Sequence, residues 1–150
     1  MLSDPSATAP SSDAQELVAM AREAMRQAYA PYSRFAVGAA VRDERGRVFT
    51  GANVENASFG LSMCAERVAI FAAIADGARR ITAIAVTAER ERTVTPCGAC
   101  RQVMAEFCDS ATPVYSEGGA DRVRAWTVGD LLPDAFGPSS LGAPSPEDSS

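Results

Sequence analysis

The sequence contains no histidine. That absence removes Ser-His-Asp and Cys-His nucleophilic catalysis, imidazole as a general base, and every histidine metal ligand. Acid–base chemistry must therefore fall to another titratable side chain. Aromatic residues make up only 7% of the chain and the net charge is −5. An acidic chain with no basic stretch of interleaved aromatics argues against a nucleic-acid partner, and equally against an anionic membrane surface. No apolar run approaches the roughly 18–20 residues of a membrane span. The opening "MLSDPSATAPSSDAQ" has neither the basic nor the apolar segment of a secretory signal. These absences point to the cytoplasm, where thiols stay reduced, so the four cysteines are not read as two disulfides. Clustered cysteines in that compartment point to metal or redox chemistry.

What is present suits one folded domain. A chain of 150 residues, 47% hydrophobic and 22% charged, can bury a core without disulfides. Residues 1–13 and 138–150 are rich in Ser, Pro, Ala and acidic residues and read as disordered tails around a domain at 14–137. A helix is predicted from an Asp13 cap, with Glu16 three residues on, through Leu17, Ala21, Ala24, Met25 and Ala28 to a stop at Pro31. "FAVGAAVRD" and "RVFTGANVE" read as a hairpin joined by "DERG". A second helix is predicted over about 63–76, with Cys64, Val68, Phe71, Ala72 and Ala75 on one face and Gly77 at its C-terminal cap. "RITAIAVTA" has the continuous apolar character of a buried parallel strand. A short helix from Gly98 shows Cys100, Val103, Met104 and Phe107 on one side. Strands at "TPVYSE" and "RVRAWTV" and a helical turn in "VGDLLPDAF" complete the chain. The order predicts an α/β fold, a three-layer α/β/α sandwich around a mixed five-stranded sheet.

The chemistry gathers at the starts of two helices. Pro96-Cys97-Gly98-Ala99-Cys100 is a C-x-x-C motif that alone is ambiguous between redox and metal use. Cys64 begins another helix. One bound zinc would explain all three sulfurs, because catalytic zinc keeps three protein ligands and an open fourth position. Helix N-termini also favour thiolates. Glu66, two residues after Cys64, lies within the same helical turn, where a carboxylate can move protons without ligating the metal. Arg67 is suited to donate to the sulfurs and offset the net −1 of three thiolates and Zn²⁺.

"CAE" followed by "PCGAC" is an all-cysteine form of the zinc-deaminase signature. Together with "YAPYSRFAVGAAV" and "TGANVENASFGLSMCAER", it resembles the small cytidine deaminases of nucleoside salvage, over about residues 29–136. The resemblance implies a cytidine-deaminase-like sandwich and one Zn²⁺ per chain on Cys64, Cys97 and Cys100, with Glu66 as the catalytic proton shuttle. The implied reaction is hydrolytic replacement of the 4-amino group of cytidine or deoxycytidine, giving uridine or deoxyuridine and ammonia. It further implies that Phe35 packs on the base, that Asn53 and Glu55 hold the ribose 3′-hydroxyl, that the Ala65 backbone contacts the base carbonyl, and that the Thr95 carbonyl receives the leaving amine. Homotetramers with shared sites are implied too, with Phe136 reaching into a neighbour.

Two positions depart from the family pattern: Phe59 stands where tyrosine is expected and Thr95 where serine is common. Phe59 removes a hydroxyl that could join subunits. Competing readings are a structural zinc completed by Cys108, a dithiol redox protein, a deaminase of another aminopyrimidine nucleoside such as blasticidin S, and a silent zinc or nucleoside-binding scaffold. Cys108 lies roughly 12 Å along the helix from Cys100 and reads as a buried, inert thiol. The redox reading leaves Cys64 and Glu66 unused. Arg101 and Gln102 stand between support of the metal site and a plain surface role.

Overall fold

The computed structural model describes residues 10–89, 93–118, 122–145 and 148; most of the N-terminal tail and four of the last five residues lie outside that set. Helix α1 spans Ser12–Met25, strand β1 Val37–Asp43, β2 Val48–Ala52, helix α2 Ala65–Ala75, β3 Ile81–Ala88, α3 Gly98–Phe107, β4 Pro113–Gly118, β5 Arg122–Thr127 and the short α4 Val128–Leu131. The sheet order is β2-β1-β3-β4-β5. Only β3 and β4 run parallel; the other neighbours are antiparallel. This is the mixed five-stranded sheet the sequence predicts.

Side-chain alternation divides the core in two, as the period of a strand requires. Ala40, Ala83 and Ala85 pack on one sheet face against Leu17, Val18 and Ala21 of α1. Ala39, Val41, Ile84 and Val114 pack on the other against α2 and α3, with Ile70 and Met104 fully buried between the layers. Burying a side chain such as Ile70 contributes about 1.5–3 kcal/mol. The alanine-rich strand faces let helix and sheet backbones approach closely. At Gly38 the limit is reached: a Cβ there would stand 2.0 Å from the Ala21 carbonyl oxygen.

Three local expectations are corrected. The cap of α1 is Ser11, whose side chain accepts the Ala14 N–H at 3.1 Å; Asp13 lies in the first turn and pairs with Arg42. The helix ends at Met25, well before Pro31, because the next segment is drawn to the end of β2. Tyr29 N–H donates to the Asn53 carbonyl at 2.9 Å, and Glu55 N–H donates to the Tyr29 carbonyl at 2.8 Å. The face that α2 buries is Ala65, Glu66, Ala69, Ile70 and Ala73, while Phe71 is 43% exposed. An alanine-rich helix is apolar nearly all round, so its spacing does not say which side meets the sheet.

The stop of α2 is as predicted. Gly77 takes φ 97, with Gly77 N–H donating to the Ile74 carbonyl and Ala78 N–H to the Ala73 carbonyl. That pair of bonds is the Schellman arrangement, which favours glycine at the left-handed position. Beyond α4, Pro138–Leu141 form a single 3₁₀ turn. No helix among the described residues is long and apolar enough to cross a membrane.

Candidate metal and nucleoside site

Short-range backbone pairing assembles the site from three segments. Residue 54 bridges both to residue 29 and to residue 63, with Val54 and Met63 exchanging N–H···O bonds at 2.9 and 2.8 Å. The turn before β1, the chain leaving β2 and the start of α2 therefore lie side by side. They enclose a cavity of about 360 Å³, together with the loop before α3. Its lining includes Phe35, Asn53, Glu55, Ala65, Glu66 and Thr95.

Cys64 and Cys97 are the N-cap residues of α2 and α3, so both helix N-termini point at one place. Their sulfurs are 3.7 Å apart, and the three donor atoms of Cys64, Cys97 and Cys100 all lie within 4.8 Å of one another. Zinc–sulfur bonds of about 2.3 Å at tetrahedral angles put ligand sulfurs about 3.8 Å apart. The cluster thus fits a zinc ion with little adjustment. Cys108 lies outside it, buried at the end of α3, where burial pushes its thiol up to about 12.

Charge is arranged around the sulfurs. The Cys64 thiol is pulled down to about 5, first by a hydrogen bond from Cys100 and then by donation from Arg67. Cys100 is shifted the opposite way by its bond to Cys64 and by burial. Within the set, negative charge is favoured on the Cys64 sulfur and disfavoured on that of Cys100. The Arg67 guanidinium donates to the Cys64 sulfur at 3.4 Å and is itself held more firmly protonated by that contact. Glu66 is only 4% exposed. Burial pushes its carboxyl up, and the charge of Cys64 adds to the effect. A carboxyl in that state can both hold and release a proton.

The family model described as the cytidine and deoxycytidylate deaminase zinc-binding region matches residues 11–116. The chain belongs to this family. A cytidine deaminase from Halalkalibacterium halodurans is 52% identical over 83% of this chain and 94% of the relative. One from Sporosarcina psychrophila is 46% identical over 86% and 95%. Among solved structures, the cytidine deaminase of Burkholderia pseudomallei matches with a TM-score of 0.76 and 50% identity, covering 81% of this chain and 97% of that one. That of Mycobacterium tuberculosis matches at 0.74 and 43% identity, covering 85% and 99%.

The remaining sequence candidates fall in distinct places. Asn53 braces the start of β1: its Oδ1 accepts Val37 N–H and its Nδ2 donates to the Phe35 carbonyl, both at 2.9 Å. Glu55 is held by the turn at Tyr32 and Ser33. Phe136 does not line this chain's own cavity; it is 62% exposed. Gln102 donates to the Phe136 carbonyl at 2.8 Å. Arg101 ties the cysteine loop to the chain after α3, donating to the Pro96 carbonyl at 2.7 Å and the Leu131 carbonyl at 2.9 Å. Phe59 is exposed and meets Tyr32 edge-on, with ring centroids 5.8 Å apart. Sequence reasoning missed Ser33, Ser62 and Met63, which also line the cavity. "PYSR" was a visible signal only for its neighbour Phe35.

Proposed function

We propose that this protein is a zinc-dependent cytidine deaminase, a hydrolase that converts cytidine and deoxycytidine to uridine and deoxyuridine with release of ammonia. The observation that carries the reading is the buried Glu66 carboxyl in the wall of a nucleoside-sized cavity, beside three cysteines spaced for one metal ion. Cys64, Cys97 and Cys100 would hold zinc, which supplies a Lewis acid able to make water nucleophilic at neutral pH. Glu66 moves both protons: it takes one from the attacking water and gives it to ring N3, then takes the remaining hydroxyl proton at C4 and delivers it to the 4-amino nitrogen, which leaves as ammonia while the C4 carbonyl forms. Arg67 tempers the sulfur charge.

Phe35 lies against the base, the Ala65 backbone meets its carbonyl, and Asn53 and Glu55 receive the sugar hydroxyl. The enzyme acts in the cytoplasm in pyrimidine salvage, as a homotetramer in which Phe136 approaches a neighbouring site. Large apolar side chains left exposed on one chain, Phe59 at 75% and Leu61 at 69% among them, support further burial on assembly.

The test is the ultraviolet absorbance of cytidine incubated with purified, zinc-loaded protein beside Glu66→Ala. Loss of the cytidine band with the wild type alone supports both deamination and the proton shuttle. No change with either protein, despite one bound zinc per chain, sinks the reading and turns attention to modified aminopyrimidines or a silent scaffold.

A further inference from the structure

The turn before β1 contains an unassigned contact between the base wall and the sugar anchor. The Ser33 hydroxyl donates to one carboxylate oxygen of Glu55 and accepts the Phe35 backbone N–H at 3.1 Å. The other Glu55 oxygen accepts the backbone N–H groups of Tyr32 and Ser33, each at 3.0 Å. A carboxylate offers about four acceptor positions. Three of those on Glu55 are filled by two consecutive residues, and Ser33, Phe35 and Glu55 all line the cavity.

The backbone is shaped for this contact. Arg34, between Ser33 and Phe35, takes φ 53 and donates its N–H to the Ala30 carbonyl at 3.0 Å. A non-glycine residue keeps the left-handed conformation only where its surroundings require it. Here the bend lets one hydroxyl face both the Phe35 amide and the Glu55 carboxylate.

We infer that Ser33 is a positioning residue: it leaves Glu55 one free acceptor position, aimed at a single sugar hydroxyl, and fixes that anchor relative to Phe35. The inference rests on the nucleoside reading above. Donation from Ser33 is also the leading cause that lowers the Glu55 carboxyl below its usual range. The anchor therefore stays an ionised acceptor at neutral pH and selects a donor hydroxyl.

The experiment compares kcat and KM for cytidine and 3′-deoxycytidine in wild type, Ser33→Ala and Ser33→Thr. With cytidine, Ser33→Ala should raise KM about tenfold while kcat stays within about twofold, the pattern of a lost binding contact. With 3′-deoxycytidine, which lacks the hydroxyl, KM should hardly respond. Ser33→Thr should restore the cytidine value. Ser33 is exposed, so its substitution leaves the core intact; should Ser33→Ala nevertheless fail to fold, Ser33→Cys should give the same split at smaller size. An unchanged KM for cytidine overturns the inference, and so does an equal rise for both nucleosides. A wild type inactive on both sinks the deaminase reading as well; an active wild type with an indifferent Ser33→Ala sinks only this one.

Discussion

Gly51 of β2 and Ala65 of α2 are in backbone contact. A Cβ at Gly51 would stand 2.7 Å from the Ala65 carbonyl oxygen and 2.6 Å from the Ala69 amide nitrogen. Both neighbours are main-chain atoms and cannot swing aside. The first turn of α2, which carries Cys64 and Glu66, is seated directly on the strand by this contact. Gly51→Ala should therefore push the helix mouth outward. Stability should fall by about 1–3 kcal/mol, measured by denaturant unfolding, and bound zinc per chain should fall with it. Gly60→Ala, with open space around the site of the new Cβ, is the control that should leave both values unchanged.

Much of the candidate site was legible because its chemistry is local in sequence. "CAE" and "PCGAC" each place their cysteines at a helix start, and Cys64 and Cys97 do cap α2 and α3. The hairpin and the Gly77 stop follow from turn chemistry that acts over a few residues. What was not legible depends on distant partners. The inward face of α2 is chosen by close approach to β2, which alanine spacing does not encode. The end of α1 is set by the pairing of Tyr29 with Asn53 and Glu55, not by Pro31. The double role of Asn53, bracing Phe35 and Val37 across a gap of 16 to 18 residues, has no local signature at all.

Arg67 is the cation that donates to the Cys64 sulfur. Its loss should leave the thiolate charge uncompensated. Arg67→Ala should weaken zinc retention by about 10–100-fold, the usual size of a lost partner to a metal ligand, read by competition with a chromogenic chelator. Arg67→Lys should recover only part of this, because an ammonium is a point charge without the planar fork of donors. Equal zinc retention in all three proteins would remove Arg67 from the account.

Removal of the metal should expose thiols in an order set by burial. Cys97 is exposed and Cys64 half-buried, whereas Cys100 and Cys108 are buried. After chelation under native conditions, iodoacetamide should label Cys97 and Cys64 first, read by peptide mass spectrometry. Cys108, whose thiol burial holds at about 12, should stay unlabelled until the protein is denatured, since the thiolate is the reactive form. Zinc-loaded protein should resist labelling at Cys64 and Cys97. Rapid labelling of Cys108 in the native state would contradict its place in the core.

At the far end of β1, Asp43 is buried at the hairpin. Burial works to raise its carboxyl, but the Arg47 amide and guanidinium and the Arg45 amide more than offset this, and the net shift is downward from 3.8. The three contacts measure 2.8, 2.9 and 3.0 Å. A carboxyl lowered on folding binds its proton more weakly in the native state than in the unfolded chain. Its stabilising contribution is complete above the unfolded value of 3.8 and is lost as pH falls through the lower folded value. Asp43→Asn should cost about 1–3 kcal/mol at pH 7 through the weakened hydrogen bonds. The gap between wild type and variant, followed by urea unfolding from pH 7 to pH 2, should hold steady to about pH 4 and then narrow. Because Glu44 and Glu117 also titrate low, the difference curve rather than either curve alone isolates Asp43. A gap that stayed constant to pH 2 would mean that the Asp43 charge contributes nothing to holding the hairpin.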